Sequence, residues 1–334
     1  MRIITLLLMF LLTFEPELKT LNTFLQEEPE NMYSMVYYAD YHFDEFLEQG
    51  AKSDEELEQF VARYLMHGFE TKILDAPGKC TSFVCRNMEG EVLFGRNLDY
   101  WFSPVVMLLT NPETGYQCMS ASDIAFLGYD EINAPDTGIP GISDSKILAA
   151  PYLTTDGMNE YGVAMSILDC GTARPGVVEA APTLNTSTAV RMVLENARTV
   201  EEAVVLMKQY NYYLGRTPNH FMIADASGRS VVVEFCKGEL VTVETPVVTN
   251  FDLYDSSHCG VGKDRYAKVV DRLAETGGIL SEEEALELLA EVVVPGKAQY
   301  SVLYNLTTGD IHAFTKGDDS VVAHFHIDRI SNQE

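Results

Sequence analysis

Apolar positions three and four residues apart give the first readable pattern in this chain. Leu57, Phe60, Val61 and Leu65 share one side of a predicted helix, and Ser53 with Glu56 forms its capping box. The surrounding stretch, residues 13–75, reads as helical and acidic, and "DAPGK" ends it at 75–79. From Cys80 the period changes to two. "TSFVCR", a turn at Glu89-Gly90 and "EVLFGR" predict a hairpin. Strands are also predicted at 105–110, 162–168, 220–224, 230–235, 240–243 and 247–249, with late ones at 300–305, 311–314 and 321–326. Asp225-Ala-Ser-Gly228 supplies a turn between two of them. Helices are predicted at 186–197, at 200–209 behind a Thr199 cap, at 263–275, and at 282–292, where Ser281 and Glu284 form a second capping box. Strands arrive in runs and helices in pairs, which favours a layered α+β architecture over βαβ alternation. No internal repeat or low-complexity segment interrupts the pattern.

Composition narrows the function classes. The 334 residues, 46% hydrophobic and 22% charged, suffice for one large domain or two small ones. A formal charge of −27 disfavours nucleic acid and anionic membrane surfaces as partners. Residues 1–79 carry 15 acidic and 6 basic side chains and the remainder 35 and 17, so both parts are acidic and the charge marks no site. Six cysteines without a C-x-x-C pair predict no disulfide framework. His258-Cys259 and His324-Phe-His326 lack the spacing of a zinc site, so no metal or other cofactor is expected. "MRIITLLLMFLL" at the start reads equally as a signal-peptide core without a small-residue cleavage site or as an amphipathic or buried helix. The first reading places the protein outside the cytoplasm or at a membrane, the second in the cytoplasm. Two sequons, at Asn185 and Asn305, decide nothing between them.

Candidate chemistry gathers around Cys80. A thiol attacks as the thiolate, and its ordinary pKa of about 8.5 leaves little of that form at neutral pH. Arg96, on the returning strand of the hairpin, supplies a fixed positive charge that favours thiolate. None of the seven histidines lies in a motif that pairs it with a catalytic cysteine. Cleavage before Cys80 would provide a base instead, because the freed α-amino group has a pKa of about 7.7–8. Asp99 is placed to hold the resulting ammonium, and the acidic segment upstream becomes a prosegment that blocks the nucleophile. Taken singly, Cys80 reads as a buried structural cysteine, and Arg96 with Asp99 as a surface ion pair.

Together these residues resemble a family. "CTSFVCRNMEGEVLFGRNLDY" is similar to the opening of the mature chain in the choloylglycine hydrolase and acid ceramidase superfamily of linear-amide hydrolases. The likeness continues through "TDGMNEYGVAMSILD" (155–169), "NHFMIADASGRSVVVEF" (219–235), "PVVTNFD" (246–252) and "GKDRYAKV" (262–269), in consistent order over residues 80–328. It implies an N-terminal-nucleophile fold, an αββα sandwich at residues 80–334, preceded at 1–79 by an apolar segment and a helical prosegment. It also implies roles. Cys80 is the nucleophile, Arg96 tunes the thiol, Asp99 lies near the α-amine, Asn250 donates a side-chain N–H to an oxyanion hole, and Arg265 faces the pocket and supports the transition state. Without the resemblance, Asn250 reads as a turn residue and Arg265 as an exposed helix residue. Asp169 stands where many bile-salt hydrolases have asparagine; the family uses the backbone N–H there for the oxyanion.

Seventy-nine residues ahead of Cys80 point to the acid ceramidase and N-acylethanolamine acid amidase branch, whose prosegment is removed by self-cleavage. Fourteen residues between Asn250 and Arg265 leave out an insertion that contributes to tetramer assembly in bile-salt hydrolases. The leading expectation is a self-activated hydrolase of N-acyl amides with an apolar acyl group, acting through a thioester, whose two segments stay associated without a further protein partner. Apolar rims at 100–102 and 126–129 suit such a group. The alternatives are a bile-salt hydrolase or penicillin V acylase, an acyltransferase using the same thioester, and an uncleaved, non-hydrolytic lipid-binding homologue.

Overall fold

The computed structural model describes residues 15–70, 72–73, 78–100, 104–130, 132–135, 142–215, 217–255 and 259–330. The N-terminal apolar run, Trp101, Phe102, His258 and most of the "DAPGK" break lie outside them. In chain order the first elements are α1 (Glu15–Leu21), β1 (Leu25–Gln26), β2 (Met32–Tyr37), α2 (Phe43–Gln49), α3 (Asp54–Tyr64), β3 (Lys79–Arg86), β4 (Val92–Asp99), β5 (Val105–Thr110) and β6 (Cys118–Asp123). After 3₁₀ turns come β7 (Thr154–Asn159), β8 (Ala164–Asp169), β9 (Thr183–Leu184), α4 (Thr186–Asn196), α5 (Val200–Met207), β10 (Asn211–Tyr212), β11 (Asn219–Ala224) and β12 (Ser230–Cys236). The chain continues through β13 (Glu239–Glu244), β14 (Val247–Val248), α6 (Lys263–Thr276), α7 (Glu282–Glu291), β15 (Ala298–Asn305), β16 (Asp310–Thr315) and β17 (Ala323–His326).

Two sheets form the middle of the molecule. One has nine strands in the order β1-β2-β5-β6-β7-β8-β11-β12-β13, the other six in the order β14-β3-β4-β15-β16-β17. Alternation along each strand separates three apolar clusters. Even positions of β3 and β4, such as Val84 and Phe94, meet Met107, Met222 and Val232 between the sheets. Odd positions, such as Phe83 and Leu93, pack outward on Val269 and Leu273 of α6 and Leu288 of α7. The outer face of the larger sheet, Val106, Met165 and Phe221, carries Val190 and Val193 of α4 together with Phe46, Leu57 and Phe60 of the upstream helices. Helix, sheet, sheet, helix is therefore the layer order, as expected. Gly95 is required inside β4, because a Cβ there would lie 2.6 Å from the ring of Phe83 across the ladder.

The segment before Cys80 departs from the helical expectation. Its described residues hold three helices, but β2 runs parallel to β5 over six register pairs, Met32 to Tyr37 against Val105 to Thr110, and so belongs to the large sheet. Phe43, Phe46 and Phe60 surround the ring of Tyr152, whose hydroxyl donates to the Tyr41 carbonyl at 2.7 Å. Strands β6 and β7 were not apparent from the pattern: "CMSASD" and "TTDGMN" carry small and polar residues that the neighbouring strands bury on both sides. Asn305 of the second sequon is buried, with its amide donating to Glu91 and Glu282.

A buried polar network locks the upstream segment to α4. Arg191 donates to Thr110, Ser120 and Thr154 at 2.7–3.0 Å, and Glu195 accepts from Tyr41 at 2.7 Å. Burial pushes the Glu195 carboxyl up to about 7, against the pull of Arg191 and Tyr41. A carboxyl raised in the folded state adds stability that is complete below its unfolded value and is lost as pH rises through the folded one. The Cys80→Ala protein is therefore expected to resist urea better at about pH 5 than at about pH 8, and Glu195→Gln to reduce the difference. Equal midpoints for the two proteins at both pH values would contradict this.

Candidate active site

Cys80 is the second residue of β3, opposite Leu98 of β4. Because side chains alternate, the hairpin splits the polar cluster between two faces. Cys80 and Arg96 point between the sheets, whereas Thr81, Asn97 and Asp99 point toward α6 and α7. On the inner face Arg96 is fully buried and its Nε lies 3.4 Å from Asp156 on β7. Asp156 also accepts from Tyr300 and Tyr304 of β15, each at 2.6 Å. Charge and donors are thus balanced around one buried carboxylate, and the guanidinium also interacts with the Cys80 thiol. Burial opposes the guanidinium charge, but the Cys80 and Asp156 sites more than offset it. Burial also pushes the Cys80 thiol above its ordinary value; Arg96 pulls against that rise, and Asp169 and Asp99 add to it.

The outer face and the strand edge are held by Arg265 and Asn250. Arg265, near the start of α6, donates to the Cys80 carbonyl at 2.6 Å, to Thr81 Oγ1 at 2.7 Å and to Asn250 Oδ1 at 2.8 Å. Gly262 makes room for it: a Cβ there would sit 2.5 Å from Arg265 Nη2, on a backbone with φ +86°. Asn250 Oδ1 accepts the Cys80 backbone N–H at 2.8 Å, and its Nδ2 donates to the Asp169 carbonyl at 2.9 Å. Asp99 stands opposite Lys79 in the ladder, accepts from Val294 N at 2.9 Å and lies 3.8 Å from Arg265. Burial raises its carboxyl to about 6, with the Val294 amide, Arg265, Arg96 and Lys79 opposing.

A cleft of about 790 Å³, open mouth included, leads to Cys80, Arg96 and Asp169. Leu98, Phe126, Ile167 and Leu214 give it apolar wall, and Asp54 and Ile73 bring the upstream segment into its lining. Tyr100 and Phe126 of the expected rims line it. All six sequence-identified residues, Cys80, Arg96, Asp99, Asp169, Asn250 and Arg265, fall in one neighbourhood, but Asp99 and Arg265 occupy the face opposite the thiol. Sequence reading missed Asp156 and Thr81, which hold Arg96 and Arg265. A carboxylate inside the β-strand "TTDGMN" was the available signal for Asp156. Among the described residues no group of three or more His, Cys, Asp or Glu side chains is arranged to hold a metal ion.

A model of linear amide C–N hydrolases, choloylglycine hydrolase family, matches residues 80–268, beginning at Cys80 itself. The chain belongs to this family. It is a hydrolase of linear amide C–N bonds. No curated protein sequence matches the chain. Among solved structures, penicillin V acylase from Agrobacterium tumefaciens is similar at TM-score 0.52 and 18% identity, over 76% of this chain and 89% of that one. A mutant of the conjugated bile acid hydrolase from Clostridium perfringens is similar at TM-score 0.50 and 18% identity, over 74% and 92%. These likenesses establish the shared fold of the hydrolase.

Arg96→Met strands Asp156 in the protein interior, so it is expected to destabilise the hydrolase by about 3–5 kcal/mol. Adding Asp156→Asn should recover a large part of that loss in a double-mutant cycle of urea unfolding. Strict additivity of the two substitutions would show that the pair is not coupled.

Proposed function

We propose that the hydrolase is a cysteine N-terminal-nucleophile enzyme, activated by cleavage of the Lys79–Cys80 bond and acting on N-acyl amides with an apolar acyl group. The observation that carries this reading is the position of the Cys80 backbone nitrogen, 2.8 Å from Asn250 Oδ1 beside the cleft. Cleavage turns that nitrogen into the α-amine that a cysteine with no histidine partner needs. It also removes Lys79 from its place opposite Asp99, leaving Asp99 and Asn250 as acceptors for the ammonium. Before cleavage burial raises the thiol's pKa and no α-amine is present to take its proton, so turnover of external amides waits for the cut.

In the mature enzyme the amine takes the thiol proton, Arg96 offers an N–H to the thiolate, and sulfur attacks the amide carbonyl. Asn250 Nδ2 and the Asp169 backbone N–H receive the oxyanion. In the uncut chain Asn250 Nδ2 is bonded to the Asp169 carbonyl, so the oxyanion must share or replace that acceptor. The ammonium returns its proton to the departing amine. Water, deprotonated by the same amine, then hydrolyses the thioester to acid and thiol. Because β2 is a strand of the large sheet, the upstream segment remains associated after cleavage and keeps Asp54 and Ile73 at the cleft.

Charge favours a neutral amide over the bile-salt and penicillin readings. Asp54, Asp123 and Asp169 line the cleft, and the charge of Arg96 is shared with Asp156, so an anionic leaving group meets a repulsive field. Assays of amides with one acyl chain and neutral or anionic amines, with hydroxylamine as competing nucleophile, test the assignment. Faster release from neutral amides, with hydroxamate formed at the expense of acid, is expected. Asn250→Ala should lower kcat roughly 10²–10³-fold. Binding of the amides without turnover would instead favour the lipid-binding homologue.

A further inference from the structure

His220 and Glu234 lie in the "NHFMIADASGRSVVVEF" stretch, on neighbouring strands β11 and β12, and neither touches Cys80. His220 is fully buried and Glu234 is 5% exposed. His220 Nδ1 is 3.1 Å from Glu234 Oε1, and its Nε2 is 2.8 Å from the carbonyl of Thr249, the residue before Asn250. Glu234 also accepts two backbone N–H groups from the same segment, Leu253 at 2.7 Å and Tyr254 at 2.9 Å. Asp252 fastens that segment to β8's exit, accepting from Thr172 N at 3.0 Å and Thr172 Oγ1 at 2.9 Å. The charged and titratable groups gathered here include Glu234 from β12, Asp252 from the segment itself, Cys170 beside both, and Asp169 at the end of β8.

Both partners of the imidazole are acceptors. A backbone carbonyl has no proton to give, and a carboxylate that already accepts two amides is held in its ionised form. Although burial works to raise Glu234, the bonds from His220, Leu253 and Tyr254 leave it below the ordinary carboxylate range. Two acceptors require an N–H on each ring nitrogen, which is the imidazolium. We infer that His220 and Glu234 form a buried imidazolium–carboxylate clamp that positions the 249–254 segment, and through it Asn250, against the Cys80 nitrogen. His220 is a positioning residue with no free lone pair, so it is unavailable as the general base. The inference uses the proposed role of Asn250 for its kinetic consequence only.

The test begins with the uncut Cys80→Ala protein, which needs no activity. In ¹⁵N-histidine-labelled protein, the His220 signals, assigned by their loss in His220→Gln, should show both ring nitrogens protonated at neutral pH. One bare ring nitrogen would overturn the clamp. Glu234→Gln should speed hydrogen exchange at the amides of residues 80, 253 and 254 roughly tenfold or more, with the rest of the large sheet unchanged. Uniformly faster exchange throughout that sheet would reduce the pair to a fold-stabilising role and overturn the positioning claim. Where Glu234→Gln does not fold, His220→Gln replaces it in the exchange measurement. In the cleavable chain, Glu234→Gln should lower kcat roughly 10–10²-fold while KM stays within about 3-fold. An unchanged kcat in a folded, processed variant would also overturn the inference. If the unsubstituted chain hydrolyses no amide, the proposed function fails, and ring protonation and exchange still decide the clamp.

Discussion

The two-residue period of the β3–β4 hairpin is the constraint on which the site depends. Both faces of this hairpin are covered, one by the second sheet and one by α6 and α7, so every polar side chain on it must find a partner inside the protein. The inner face answers with Asp156, Tyr300 and Tyr304 around Arg96. The outer face answers with Arg265 at Thr81, the Leu289 carbonyl at Asn97 and the Val294 amide at Asp99. Cys80 stands where these two systems meet at a strand edge. Its thiol belongs to the inner one, and its backbone nitrogen and carbonyl are gripped from outside by Asn250 and Arg265. A shift of one residue in the β3–β4 pairing would exchange the faces and dismantle both networks.

The segment ahead of Cys80 follows the same rule of satisfied buried groups. It supplies a strand to the large sheet, aromatic rings around Tyr152 and the hydroxyl that Glu195 accepts. Cutting one peptide bond before Cys80 leaves all of these contacts in place. Asp54 and Ile73 of the segment line the cleft that holds Cys80, so under the proposed cleavage it would stay part of the cleft wall.

Much of this was legible in the sequence because local pattern and tertiary role agree. The helix at 54–64 announced itself through Ser53 and its apolar spacing, and the hairpin through alternation about Glu89-Gly90. Strands β6 and β7 were illegible since their burial comes from neighbouring strands and not from apolar side chains of their own. Strand β2, "MYSMVY", was submerged in a stretch whose acidic helices dominate the pattern. For the site, residue types brought out Cys80, Arg96 and Asp99, whereas Asp169, Asn250 and Arg265 were legible only through the resemblance to the family. The groups that orient them, Asp156, His220 and Glu234, come from distant strands. A single polar residue inside an apolar strand does not say what it faces.

On the proposed reading the Cys80 nitrogen becomes the catalytic amine. Intact mass and N-terminal sequencing of the purified protein after incubation over a range of pH, beside a Cys80→Ala control, test it most directly. The unsubstituted chain is expected to yield a fragment beginning at Cys80 while the control stays whole. A chain that remains uncut under every condition, yet hydrolyses amides at full rate, would contradict it.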